Sequence, residues 1–140
     1  DFYKIINDMP NIKLIHDRYD SHDLIKNSEA LITLCGSAAI EALIFNIPII
    51  SLGNIFYNSF DGITHVNSIS DCIRKINNVQ ELKRESKINN KNGLKALEAI
   101  YQASYPGVLF NAFHPDAHRN KKNMENLADS FMEKIKAIYS

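Results

Sequence analysis

The feature that most constrains the fold is a long stretch almost free of charge. Between Ala30 and Ser70 only Glu41 and Asp61 are charged, while acidic and basic residues crowd both flanks. Charged side chains are almost never fully buried unless paired. A segment without them is expected to form the buried centre of a domain. The flanks differ in sign: residues 1–29 carry four basic and six acidic groups, residues 71–140 twelve basic and eight acidic.

Within the centre, strand-like and helix-like runs alternate. Ala30–Cys35 is a continuous apolar run, as expected of a strand covered on both faces. Gly36 and Ser37 open a helix over Ala38–Phe45, Asn46 ends it, and Pro48 stops its continuation. Ile47–Leu52 reads as the next strand. Upstream, Asn11–Ile15 reads as a short strand, followed by a helix over Ser21–Asn27 with Ser21 as N-cap. This β-α-β-α-β order predicts an α/β fold, a Rossmann-like parallel sheet with helices on both faces. Residues 1–79 form the α/β core of a single domain in this reading, and residues 80–140 a helical C-terminal extension.

Beyond Gly53 the pattern loosens. Asn54–Asn67 reads as a loop holding a short strand, and Ser70 as the cap of a helix over Asp71–Asn77. Val79–Asn92 reads as a mobile connection or an extra helix. Gly93–Ser104 has helical spacing and is broken by Tyr105-Pro106-Gly107. Asn123–Ile138 is a final amphipathic helix with Leu127, Phe131, Ile135 and Ile138 on one face. It is expected to pack on the sheet domain with part of its stripe exposed, which favours self-association.

The makeup of the chain excludes several classes. With 140 residues, 45% apolar and 23% charged, it suits one globular domain rather than a disordered chain. Sixteen basic residues balance sixteen acidic ones, which argues against a nucleic-acid binder. Cys35 and Cys72 make neither a disulfide framework nor a metal-ligand spacing. Free thiols suit a reducing compartment. No window approaches the ~20 apolar residues of a membrane span. The opening on Asp1, with neither Met nor signal peptide, is read as a piece of a longer protein.

The sharpest motif is Cys35-Gly36-Ser37-Ala38-Ala39-Ile40-Glu41-Ala42-Leu43. It lies where a parallel strand ends and a helix begins, the end at which open α/β sheets bind ligands. Gly36 permits close backbone approach. The Ser37 hydroxyl and the helix N–H groups suit a phosphate, and Ala38 and Ala39 leave room for it. Glu41, one turn on, is placed to accept hydrogen bonds from a ribose or sugar hydroxyl. The alternative is that Ser37 only caps the helix and Glu41 completes a capping-box-like start. Spacing alone leaves both open.

Leu24–Ser28, Leu31-Ile32-Thr33, Gly36–Leu43 and Pro48–Gly53, followed by Phe56-Tyr57 and Asp61-Gly62-Ile63, resemble the donor-binding half of a GT-B glycosyltransferase. More narrowly they resemble the bacterial capsule polysaccharide biosynthesis family, which includes Kdo transferases. The resemblance covers roughly residues 10 to 78. It implies a nucleotide-sugar site, with a CMP-activated sugar as the expected donor and no metal or other cofactor. Ser37 and the N–H groups after it would hold the donor phosphate, and Glu41 the ribose. Gly53, Asn54 and Tyr57 would line the pocket. The implied partners are a polysaccharide or glycolipid acceptor and an N-terminal domain that this chain does not contain. The implied setting is the cytoplasm, peripheral at the inner membrane. A His-Pro element that the family carries upstream of Asn11–Leu14 is absent, so the chain alone is expected to be inactive, and no catalytic base is assigned.

The histidines carry less. His65 follows the Asp61-Gly62 turn near the strand ends and is a candidate pocket residue. His114-Pro115 lies on the wrong side of the sheet segment for a donor role, and His114 with His118 lacks the further ligands of a zinc site. His16 and His22 flank an acidic stretch and read as solvated loop. Arg119, Lys121, Lys122 and Lys91 give a weakly basic part that suits anionic lipid, a polymer acceptor or only water. Two other classes compete: a sugar-nucleotide epimerase-like domain, for which no acid pair with a His stands out, and a non-enzymatic flavodoxin-like interaction module, whose receiver-type acidic cluster is missing from the core strands.

Overall fold

The computed structural model describes residues 2–107 and 119–139. Its helices and strands are, in order, α1 (Phe2–Asn7), α2 (Ser21–Lys26), β1 (Leu31–Thr33), α3 (Ala38–Ile44), β2 (Ile49–Ser51), a 3-10 turn (Phe56–Ser59), β3 (Ile63–His65), α4 (Ile69–Ile76), α5 (Val79–Glu85), α6 (Asn92–Ala103) and α7 (Lys121–Tyr139). They divide into two compact units, Asp1–Leu97 and Glu98–Ser140.

The first unit is an α/β layer structure around a three-stranded parallel sheet of order β1-β2-β3. Successive residues of a strand point to opposite faces, and β2 shows what covers each. Ile49 joins a cluster with Ile25 of α2, Ala39, Ala42 and Leu43 of α3, Tyr57, Ile63 and Ala96 of α6. Ile50 joins Val66, Cys72 of α4 and Leu82 of α5. Helices therefore cover both faces of β2, and all three of its residues are fully buried, which is why that segment tolerates no charge. Leu82 and Ala96 show that residues 80–97, read from sequence as part of the helical extension, pack onto the α/β unit.

Parallel neighbours need a crossover between them. Between β1 and β2 it is α3. Between β2 and β3 it is the segment 52–62, with only a 3-10 turn in it. Gly62 at its end has φ 99° and sits where a Cβ would lie 2.5 Å from the Leu43 side chain. Glycine meets both demands.

Several expectations need correction. Asn11–Ile15 is not a strand: it pairs with no strand of the sheet, and Ile12, Leu14 and Ile15 are each more than two-fifths exposed. A β-branched run satisfies strand propensity, but a strand needs a neighbour to hydrogen-bond. The cap of α2 is Asp20, whose carboxylate accepts from the His22 N–H at 2.8 Å, not Ser21. The cap of α4 is Ser68, whose hydroxyl accepts from the Asp71 N–H at 3.1 Å, not Ser70. Of the two readings for residues 79–92, the helix holds over Val79–Glu85, capped by Asn78. Asn46 does end α3, with φ 58°.

In the second unit, Gly107 (φ 143°) sits against Leu127 of α7, and the Ser130 hydroxyl reaches the Pro106 carbonyl at 3.4 Å and the Asn126 carbonyl at 2.7 Å. No described residue of α7 is buried.

Candidate functional site

The carboxyl ends of the three strands meet in one row. Thr33 pairs with Ser51, and Ser51 with His65. The loops that follow β1 and β2 are joined to that row and to each other. The Gly36 N–H donates to the Thr33 hydroxyl at 3.0 Å. The Tyr57 hydroxyl donates to the Gly36 carbonyl at 3.1 Å, across the gap between the two loops. Two donors converge on the Gly53 carbonyl: the Ser51 hydroxyl at 3.1 Å and the Asn58 amide at 2.9 Å. A Cβ on Gly53 would lie 2.2 Å from the Leu34 carbonyl oxygen, so the loops touch backbone to backbone and only glycine fits.

Of the residues singled out from sequence, Gly36, Ser37, Ala38, Gly53 and Asn54 stand at the surface of these loops, half-buried or exposed. Ala39 is fully buried in the core below α3, and Tyr57 is 2% exposed. The part of both is to shape the loops from beneath. Burial first, and the nearby Cys35 second, raise the Tyr57 hydroxyl above its ordinary value of 10.0, so it stays a donor at neutral pH.

Ser37 settles one alternative. It has helical dihedrals (φ −62°, ψ −20°) and makes no side-chain capping bond. The N–H groups of Ala39 and Ile40 bond to the Gly36 and Ser37 carbonyls, which leaves those of Ser37 and Ala38 without a backbone partner among the described residues. Among the described residues nothing pairs with the Ser37 hydroxyl or these two N–H groups, which can therefore meet an outside acceptor.

Glu41 does not complete a capping box. Its carboxylate lies 3.3 Å from Nε2 of His22. The His22 ring meets the edge of Phe45, over which Lys26 stacks at 4.8 Å from the centroid. His22 thus belongs with Glu41, a partnership the reading of His22 as solvated loop missed. Its only sequence signal was the α2 register, which turns His22 toward α3. His65 is half-buried, and its Nδ1 lies 3.1 Å from the Ser51 carbonyl. A carbonyl only accepts, so Nδ1 is the donor in this contact.

Thr33, Ser51 and Asn58 also escaped the sequence reading. Their roles come from strand register and loop contact, which no spacing reveals. Asn58 Oδ1 is buried and has no hydrogen-bond partner among the described residues. His114, Pro115 and His118 lie outside the described residues. Among the described residues no group of three or more His, Cys, Asp or Glu could hold a metal ion, and no helix is long and apolar enough to cross a membrane.

The arrangement is a hydrogen-bonding rim, the Ser37 hydroxyl and two backbone N–H groups, with the Glu41 carboxylate a turn away. Such a rim suits an oxygen-rich anion more than a cation. No family model, no curated protein and no solved structure matches the chain.

Proposed function

We propose that this chain is the nucleotide-sugar donor-binding domain of a GT-B-type glycosyltransferase of the capsule polysaccharide biosynthesis kind, with a Rossmann-like sheet as its core. The observation that carries the reading is the joining of two loops. The Gly36-Ser37 turn and the Gly53–Tyr57 loop, which the resemblance picks out independently, are bonded by Tyr57 at the carboxyl ends of parallel strands. That is where open α/β sheets bind nucleotides.

In this reading the Ser37 hydroxyl and the Ser37 and Ala38 N–H groups hold the donor phosphate, with neither metal nor basic side chain. Oriented donors stabilise the charge that grows on a leaving phosphate. Glu41, steadied by His22, accepts from the ribose. His65 borders the pocket with its Nδ1 bonded to the Ser51 carbonyl. The catalytic base and the acceptor site belong to a second domain, and the acceptor is a polysaccharide or glycolipid handled at the cytoplasmic face of the membrane.

Titration of CMP, UDP and GDP against the chain, followed by amide NMR shifts, tests this. The expected result is binding of CMP, with shifts centred on Gly36–Ala39, weakened by Glu41→Ala. A preference for UDP would move the reading to the wider GT-B or epimerase-like groups. Absence of shifts at Gly36–Ala39 with every nucleotide would sink it.

A further inference from the structure

We propose that a cleft beside β3 binds the pyranose ring of a neutral sugar, at a site separate from the nucleotide site. The cleft lies inside the first unit and has a volume of about 380 Å³, a size usual for small-ligand sites. It is bounded by residues 58–61 of the crossover, by Ile63 and Thr64 of β3, and by residues 85–87 at the end of α5. None of the residues assigned to the nucleotide lines it, so the inference stands without that reading. Two bonds hold its walls. The Gly62 N–H donates to the Ser86 carbonyl at 2.7 Å and fixes the end of α5 against the start of β3. The Asn58 amide donates to the Gly53 carbonyl at 2.9 Å. With its amide so turned, Asn58 Oδ1 is buried and has no partner among the described residues. Buried acceptors are normally paired. An orphan on a residue of the cleft wall points to a donor from outside the chain.

The polar groups around the cleft select the ligand. Asp61 and Lys87 are exposed, and neither side chain has an ion pair or hydrogen bond among the described residues. Glu85 is neutralised by the Lys75 ammonium. One free carboxylate thus faces one free ammonium, and a metal ion or an amine gains no net attraction there. The other polar groups mostly accept. The hydroxyls of Ser59 and Ser86 donate to the Phe56 and Lys83 carbonyls, at 3.2 Å each, which leaves their lone pairs. With Asn58 Oδ1 and the Asp61 carboxylate, acceptors outnumber donors, and a ligand rich in hydroxyls meets them. Phe60 and Ile63 give the cleft an apolar side. A pyranose carries the same mixture, hydroxyls around its rim and C–H groups on its face. An extended peptide fits less well. The end of α5 stands against the start of β3, where an added strand would have to run.

Amide NMR shifts of the full 140-residue chain, titrated with glucose, galactose or N-acetylglucosamine, test the site. The expected result is a dissociation constant on the order of millimolar for at least one of them. The shifts should centre on residues 58–64 and 85–87 and leave Gly36–Ala39 unmoved. Saturation of the protein should transfer to the C–H groups of the ring. Asp61 is exposed and unpaired, so Asp61→Asn keeps the fold, and it should weaken binding on the order of tenfold. Four results would overturn the proposal. One is no shift with any sugar. Another is an equal response to open-chain sorbitol, which would show that no ring is recognised. A third is unchanged affinity in Asp61→Asn. The fourth is movement of the same amides by calcium chloride or ethanolamine instead of sugar, which would make this a cation site. Sugar shifts confined to Gly36–Ala39 would also overturn it, by placing the sugar with the nucleotide. Titration with CMP is read at Gly36–Ala39, so the nucleotide reading and this one fail at different amides.

Discussion

Tyr57 shows how one side chain serves both core and loop. Its ring fills the cluster beneath α3, and its hydroxyl ends on the Gly36 carbonyl. Tyr57→Phe keeps the ring and removes the bond. We expect a loss of about 0.5–1.5 kcal/mol at neutral pH, read from urea denaturation. The raised hydroxyl adds a pH dependence. The folded state holds the proton more tightly than the unfolded one, so its contribution is fully present below 10.0 and is lost as pH rises above it. The Phe variant should show a shallower alkaline fall in stability than the parent. Equal falls would place the linkage in another group. Gly36, Ser37 and Gly53 each mark a strand end or a turn in the sequence, while Tyr57 was picked out only by the resemblance. That Tyr57 is interior and that His22 meets Glu41 could not be found there, because those facts depend on how α2 and the crossover turn in space.

At the scale of elements, caps and close approaches separate what propensity suggests from what geometry requires. Both Ser68 and Ser70 could cap a helix on composition. Only Ser68 has extended dihedrals and accepts from a backbone N–H. Ser68→Ala should therefore cost about 0.5–2 kcal/mol, while Ser70→Ala stays within about 0.5 kcal/mol of the parent. Thermal melts of the two variants check the pair. Gly93 in α6 makes a sharper contrast. In a free helix Ala gains about 1 kcal/mol over Gly. Here a Cβ would meet the Ile44 Cα at 2.6 Å and the Ile44 N at 2.8 Å, and no rotamer change can move backbone. Overpacking of this kind costs about 1–3 kcal/mol, so Gly93→Ala should lower stability despite its better propensity. A variant as stable as the parent would show that α6 does not press on α3 this closely. Gly93 was visible in the sequence only as the start of a helix, since the contact joins segments far apart in the chain.

For the whole molecule, both apolar clusters that hold the sheet lie within residues 1–97. A fragment of residues 1–103, with α6 intact, is expected to fold and to keep the amide shifts of Gly36–Ala39 and Gly53. A collapsed NMR spectrum would show that the second unit is needed for folding. The sequence by itself determined that the chain is α/β, that its charge-free centre runs from Ala30 to Ser70, and that a helix joins the two strands read there. The reason is energetic: unpaired charge is excluded from any interior, and the period of apolar residues separates strand from helix before any contact forms. Only the tertiary structure decided that Asn11–Ile15 stays unpaired, that β3 joins the sheet, and that the sheet ends bring Thr33, Ser51 and His65 into one row. Strand pairing is a relation between distant segments, and its register depends on which neighbour is present and how each crossover returns, quantities that no local pattern encodes.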